Sequence, residues 1–195
     1  ILSILFLTLP IAEFFIFART PLVRLFFGGD KFDWAATVQT AFTLSYFALA
    51  IPTHSLYYFI TRCFYAFLDS KTPFYSSLFS IALNVILSLT FIFALHFPVW
   101  SLGLAFFISI TANVWILLYK LGKKIKGFDN RTLVIELAKI LLVTFLASFF
   151  SYWFMKILDG LILDTTRTIN VVILLAFVGV AFASLYFFLA WSFGI

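Results

Sequence analysis

The sequence predicts an all-α, polytopic transmembrane bundle of about six spans. Three observations predict it. Apolar residues make up 64% of the chain and charged residues 11%, against roughly half and about a quarter in soluble domains, so a water-facing shell cannot be built from it. Apolar runs near the ~20 residues that cross a bilayer as a helix recur along the chain. The runs are long and unbroken, where a membrane barrel shows short alternating segments.

Each span has its own signals. The first covers about 1–17, with Pro10 as a candidate kink, and continues as an interfacial helix through Phe27. "GGDKFD" turns the chain, and Asp33 is placed to cap the next helix. That second span, about 34–68, is some ~50 Å of helix against a ~30 Å hydrocarbon core, so it must tilt, bend at Pro52 or project. "DSKT" stops it. The third span is expected to start with Thr72 as N-cap and Pro73 in the first helical position, and to run to about residue 97. "FPVW" is a short turn before the fourth span, about 101–119. "KLGKKIKGFDNRT" is the clearly hydrophilic loop, and spans at about 133–158 and 169–193 complete the count.

Lys and Arg in short loops set orientation. Arg62, Lys71, Lys120, Lys123, Lys124, Lys126 and Arg131 fall on one face; Arg19, Arg24, Lys31, Lys156 and Arg167 fall on the other. The dense cluster at 120–131 places its side, and "DSKT" with it, in the cytoplasm. Attraction to lipid headgroups accounts for that loop better than a protein partner does.

Three consecutive spans carry polar stripes. Gln39, Thr43, Tyr46, Ala50, Thr53, Tyr57, Thr61 and Tyr65 recur every three or four residues, as do Ser77, Ser80, Asn84 and Ser88, then Ala105, Ser109 and Asn113. Such stripes should avoid lipid, so they face one another as helix–helix contacts or line a transport cavity. The last two spans have little interior polarity and read as peripheral. Ala176, Gly179 and Ala183 make a face suited to close helix contact, and Glu136 and Lys139 can pair at i,i+3. Glu13 is an acid inside an apolar span, a functional candidate by default, with Arg19 and Arg24 as its nearest cations. Arg62 lies two turns inside the Asp69 end, roughly 10 Å, and either reaches a phosphate or snorkels to lipid.

Other chemistry is excluded. Cys63 is the single cysteine, which rules out an internal disulfide, and it reads as apolar filler. His54 and His96 lack metal-ligand spacing. There is no HExxH, GxSxG or Walker loop and no room for a nucleotide-binding domain, so neither an enzyme nor a nucleic-acid partner is expected. The chain opens on Ile1 within an apolar run that does not read as a signal peptide, so a fragment of a longer protein is expected.

"TPLVRLFFGGDKFDWAATVQTAFTLSYFALAIP" and "LYYFITRCFYAFLDSKTPFYSSLFSIALNVILSL" carry a family resemblance. They resemble the carboxy-terminal part of the MurJ (MviN) lipid II flippases. The matching positions are Pro21, Leu22, Val23, Leu25, Phe26, Phe27, Phe32 and Asp33; then Arg62, Phe64, Tyr65, Ala66, Asp69, Thr72 and Pro73; then Asn84. "SLGLAFFISITANVWILLYKL" resembles the family's next helix.

The resemblance implies the last six helices of a fourteen-helix exporter of the MOP superfamily. Residues 1–124 would then belong to the carboxy-terminal transport lobe, and 125–195 would form two peripheral helices. It implies a multi-pass protein of the bacterial plasma membrane that flips an undecaprenyl-linked peptidoglycan precursor by alternating access. Its partners would be that precursor, membrane lipids and the amino-terminal helices of the same protein. Substrate or cavity candidates are Arg62, Tyr65, Thr61, Tyr57, Thr43 and Ser80, and Phe64, Asp69, Thr72 and Pro73 are structural motif residues. No cofactor is implied beyond coupling to a sodium ion or proton, for which Asn84, Ser88 and Leu104 are the ion-site candidates. The chain departs from the family at "GGD" (28–30), at Glu13, and at Ser88, where an acid is expected one turn after Asn84. A hydroxyl expected on the next helix falls near Ile108, beside Ser109. Another flippase of the superfamily, or a non-transporting scaffold of the same fold, is the competing expectation.

Overall fold

The computed structural model describes residues 1–27, 33–125, 130–161 and 168–195. These form seven α-helices and a π-helical turn, and no strand occurs among the described residues. The helices are α1 (Leu2–Phe17), α2 (Arg19–Phe27), α3 (Trp34–Ala66), α4 (Lys71–Leu89), α5 (Ser101–Lys124), α6 (Asn130–Leu161) and α7 (Thr168–Ser192). The π turn, Thr90–Ala94, follows α4. Five helices are long and apolar enough to cross a membrane, and the bent pair α1–α2 makes a sixth span.

The first span continues as expected, but around a sharp corner. α1 runs through Pro10 as one helix, and α2 turns away from it by 71°. Pro21 explains where the corner falls. It has no N–H for the carbonyl of Phe17, and its ring crowds that carbonyl, so a straight continuation is blocked. Ala18 is fully buried at the elbow, against Val171 and Leu175 of α7.

α3 is a single 33-residue helix that contains Pro52. Asp33 caps it as the sequence predicts, its Oδ1 accepting the Ala36 N–H at 2.7 Å. The expected Thr72 cap of α4 is wrong. The capping side chain is Asp69, whose Oδ1 accepts the Thr72 N–H at 3.0 Å while its Oδ2 accepts the Thr72 hydroxyl at 2.9 Å. A carboxylate satisfies both groups at once, and a negative charge suits a helix N-terminus. Pro73 therefore falls third in α4 rather than first, still within the turn whose N–H groups lack intrahelical partners.

The third span also ends differently from expectation. Past Leu89 the ladder widens, with Leu95 N–H reaching Thr90 O at 3.0 Å and the Thr90 hydroxyl bonding back to Ile86 O at 2.8 Å. α5, α6 and α7 follow the predicted spans with longer ends. The expected turn residues 28–32 and the loop residues 126–129 lie outside the described residues.

The helices pack in a row. α5 lies between α4 and α3, α3 meets α1, α1 meets α6, and α6 meets α7, while α2 folds onto α3 and α7. One core joins α1, α3 and α5 through Leu5, Leu56, Ile60, Phe64, Val114, Leu117 and Leu121. A second joins α1, α6 and α7 through Val143, Ala147, Phe182 and Tyr186. The Ala176–Gly179–Ala183 face makes its helix contact at Gly179 alone. Ala176 and Ala183 are exposed, and Gly179 faces Phe14 of α1. The larger side chains Leu174, Val178 and Phe182 bury against α6 and α1, because shape-matched bulk fills this seam better than a groove of methyls would.

Candidate functional site

Polar residues of the α4 stripe, Ser80 and Asn84, meet α5. α5 turns one small or polar face inward: Ser101 and Ala105 are fully buried, and Ser109 and Asn113 are nearly so. Gly103, on another face of α5, packs closely against α3. A Cβ there would lie 3.0 Å from the Tyr46 Cβ and 3.3 Å from the Phe47 ring.

α4 lies on the other side of α5 and is joined to it by side-chain hydrogen bonds. The Ser76 hydroxyl donates to Asn113 Oδ1. Ser80 Oγ donates to the Ser109 carbonyl at 2.9 Å, and Asn84 Nδ2 donates to Ser109 Oγ at 3.2 Å. Ser88 Oγ reaches Asn84 Oδ1 at 3.4 Å. A hydroxyl or amide placed in hydrocarbon without a partner is costly, so the three bonds to Asn113 and Ser109 fix rotation and register between two apolar helices.

The ion candidates fall inside this seam. Asn84 and Ser88 bond to each other, and Ser109, beside the expected hydroxyl position, completes the cluster. Leu104 is half-buried and brings only an aliphatic side chain. Hard cations favour carboxylate and carbonyl oxygens. This cluster offers neutral side-chain oxygens already bonded to neighbours, so it does not fit a cation site by itself. Among the described residues no three of His, Cys, Asp or Glu gather.

A cleft of about 460 Å³ opens at the Asp69 end of α3 and α4. It brings together Tyr57, Tyr65, Ser70, Lys71, Pro73, Phe74, Tyr75 and Ser77, with Tyr57 and Ser77 hydrogen-bonded at 2.9 Å. Of the substrate candidates, Tyr57 and Tyr65 line it. Ser80 is buried in the seam, and Thr43 bonds within its own helix to Gln39 O at 2.9 Å. Thr61 is buried, and its hydroxyl has no hydrogen-bond partner among the described residues. Arg62 is exposed and does not line the cleft, where Lys71 is the cation.

Beside the cleft, Lys124 Nζ meets Asp69 Oδ2 at 2.6 Å. Its ammonium also lies 5.4 Å from the centre of the Phe64 ring, which is itself buried. This pair puts "DSKT" and the basic end of α5 on the same side, as the loop charges predict. The Lys124 hydrogen bond, then those from Thr72, hold the Asp69 carboxyl down to about 2.

The paired Glu136 and Lys139 bear out the sequence reading, at 2.7 Å. Glu13 does not pair with Arg19 or Arg24. It shares a side-chain hydrogen bond with Ser148 of α6, and Arg19 bonds Ser45 Oγ at 3.2 Å. Sequence reasoning missed Ser76, Gly103 and Lys71. Ser76 stands one turn before Ser80, so the four-residue spacing was its available signal.

Five helices long and apolar enough to cross a membrane, a bent pair that makes a sixth span, and a buried polar seam, with no strand among the described residues, define a multi-pass membrane protein. Residues 1–173 match the family model described as lipid II flippase MurJ. The chain is 29% identical over 161 residues to the lipid II flippase MurJ of Thermosipho africanus, covering 81% of this chain and 33% of that one. It is 26% identical over 181 residues to the probable lipid II flippase MurJ of Thermotoga maritima, covering 93% of this chain and 35% of that one. The solved structure of a lipid II flippase MurJ in an inward closed conformation superposes with a TM-score of 0.69 at 26% identity, over 94% of this chain and 36% of that one. The chain belongs to the MurJ lipid II flippase family. It spans about a third of the length of these relatives.

Proposed function

We propose that this chain is the carboxy-terminal part of a lipid II flippase, which carries an undecaprenyl-linked peptidoglycan precursor from the cytoplasmic to the outer leaflet of the bacterial plasma membrane. The family match over residues 1–173 carries this reading. In it, α1–α5 belong to the transport lobe, α6 and α7 are peripheral, and the Asp69–Lys124 end is cytoplasmic.

The seam suits alternating access, which moves groups of helices as units. With α4 and α5 cross-bonded and α3 seated on Gly103, these three helices move together. The tyrosine-lined cleft is the place in this chain for a polar headgroup: Tyr57, Tyr65 and Ser77 offer hydroxyls and Lys71 a cation. Most of α4 is exposed, and Phe74, Tyr75 and Phe79 present a broad surface for the amino-terminal helices. No step of this work requires bond chemistry in the protein, so the activity is transport rather than catalysis.

Complementation tests the reading. The full-length protein, expressed in cells depleted of their own lipid II flippase, should restore growth and shape. A well-expressed, membrane-inserted protein that gives no rescue would point to a different lipid-linked substrate or to a non-transporting scaffold.

A further inference from the structure

A second cavity lies at the end of the bundle away from the cleft. It measures about 580 Å³ and is bounded by α2, the start of α3, the far end of α6 and the start of α7. Its position follows from the topology. α3 begins here at Trp34 and ends beside Asp69, and α6 leaves the Lys124 side to arrive here with Tyr152, Met155 and Lys156. Over 33 residues of α3 the two ends stand ~50 Å apart, so this cavity opens at the opposite membrane surface.

Three cations line it: Arg19, Arg24 and Lys156. Asp159 is the one carboxylate among the described lining residues. Arg19 is fixed in place by Ser45 and by the Phe42 ring, 4.9 Å from its guanidinium. Arg24 and Lys156 have no ion pair among the described residues. Like charges converging on one concavity repel unless an anion joins them. Thr20 adds a hydroxyl, and Trp34 and Tyr152 supply the aromatic rim usual at headgroup depth. The rest of the lining is largely apolar, with Phe17, Met155, Val171 and Leu174. A site lined by cations and apolar side chains together fits an amphiphile with an anionic head. Snorkelling alone would send each cation to its own patch of surface; here the 71° elbow carries two of them onto α6 and its lysine.

We infer that this cavity binds a phosphate group at the membrane surface opposite the Asp69–Lys124 end, as the headgroup of an anionic phospholipid or as free phosphate. Binding would be measured on the full-length protein in neutral detergent by native mass spectrometry, with short-chain phosphatidylglycerol, matched phosphatidylcholine and inorganic phosphate as probes. Phosphatidylglycerol should bind more tightly than phosphatidylcholine. Arg24→Gln and Lys156→Gln should each weaken it about fivefold, and the double variant roughly 25-fold, from the attraction of single basic residues for anionic membrane. Lys156→Arg should keep it. Competition by inorganic phosphate assigns the site to a soluble ligand, and its failure assigns the site to lipid; both uphold phosphate recognition. Equal binding of the two lipids, or a double variant that binds like the parent, would overturn the assignment. Lys156 is exposed, so Lys156→Gln alone gives the answer should the double variant lose its thermal transition.

Discussion

The two halves of this bundle are held by different physics. On the α3–α4–α5 side, buried serines and asparagines reach across from one helix to the next. On the α1–α6–α7 side, several polar side chains turn back on their own helix: Thr8 bonds Ile4 O at 2.8 Å and Ser184 bonds Val180 O at 2.8 Å. There Phe6, Phe14, Phe17, Phe182 and Tyr186 pack ring on ring instead, with Tyr186 donating to Phe6 O at 2.7 Å. Lipid tails are as apolar as these rings, so water cannot drive either contact. Side-chain bonds in a row hold the first side in one register, whereas the second side relies mainly on ring packing, with few bonds between its helices. A transport lobe that must move as a body benefits from the first kind of joint, and a lipid-facing flank can tolerate the second.

The sharpest way to break the comparison is at Gly103. Gly103→Leu would force α3 off α5 and should cost about 3 kcal/mol, the upper end for overpacking a core. The check is the unfolding free energy in mixed micelles, together with loss of complementation. Next comes Asn113→Leu, which strands the buried Ser76 hydroxyl and should cost about 1–2 kcal/mol. The double variant with Ser76→Ala should recover part of that loss, because the stranded group is then gone. A single-variant cost that persists in full would mean that packing, not bonding, holds the seam.

A smaller effect is expected at the ion pair. Asp69 titrates at about 2 in the folded protein against 3.8 as a free side chain. A depressed carboxyl binds its proton less readily folded than unfolded. Its contribution is therefore complete above pH 3.8 and is lost as pH falls through about 2. Thermal unfolding in detergent should show a modest extra acid sensitivity in that window, and Asp69→Asn should remove it. The smallest change is predicted on the apolar side: Ser184→Ala breaks only a bond within α7, at an exposed position, and should shift stability by less than about 0.5 kcal/mol. A large loss there would erase the distinction between the two halves.

Much of this architecture was legible in the chain. Span positions follow from hydropathy, and the Asp33 cap and the Glu136–Lys139 pair follow from local spacing. The stripes on α4 and α5 announced the faces that meet, because period fixes a helix face, whereas the α3 stripe leaves Gln39 and Tyr65 exposed and the buried face of α3 runs through Thr37, Ala41, Ser45 and Ala48. Pairings did not follow, since Ser76 and Asn113 stand far apart in sequence and any of several hydroxyls had the right period. The Asp69 cap was misread for a similar reason. Asp69 and Thr72 are both capping residues three apart, and what settles the choice is Lys124, on another helix. The elbow was hidden because Pro21 is tolerated in a helix's first turn as readily as it breaks one. In the cleft, the stripe pointed to Tyr57 and Tyr65, but Lys71 comes from the turn, where periodicity says nothing.

The elbow at Ala18 also bears on bilayer thickness. Because α2 leaves α1 at 71°, the first span ends at a fixed depth and cannot slide further into hydrocarbon. At the other end of the bundle, the Asp69–Lys124 and Glu136–Lys139 pairs resist the same slide. The apolar girth between them is thus set by the backbone rather than by tilt. A membrane of the wrong thickness must stretch or thin around this protein, at fractions of a kcal/mol for each ångström of misfit.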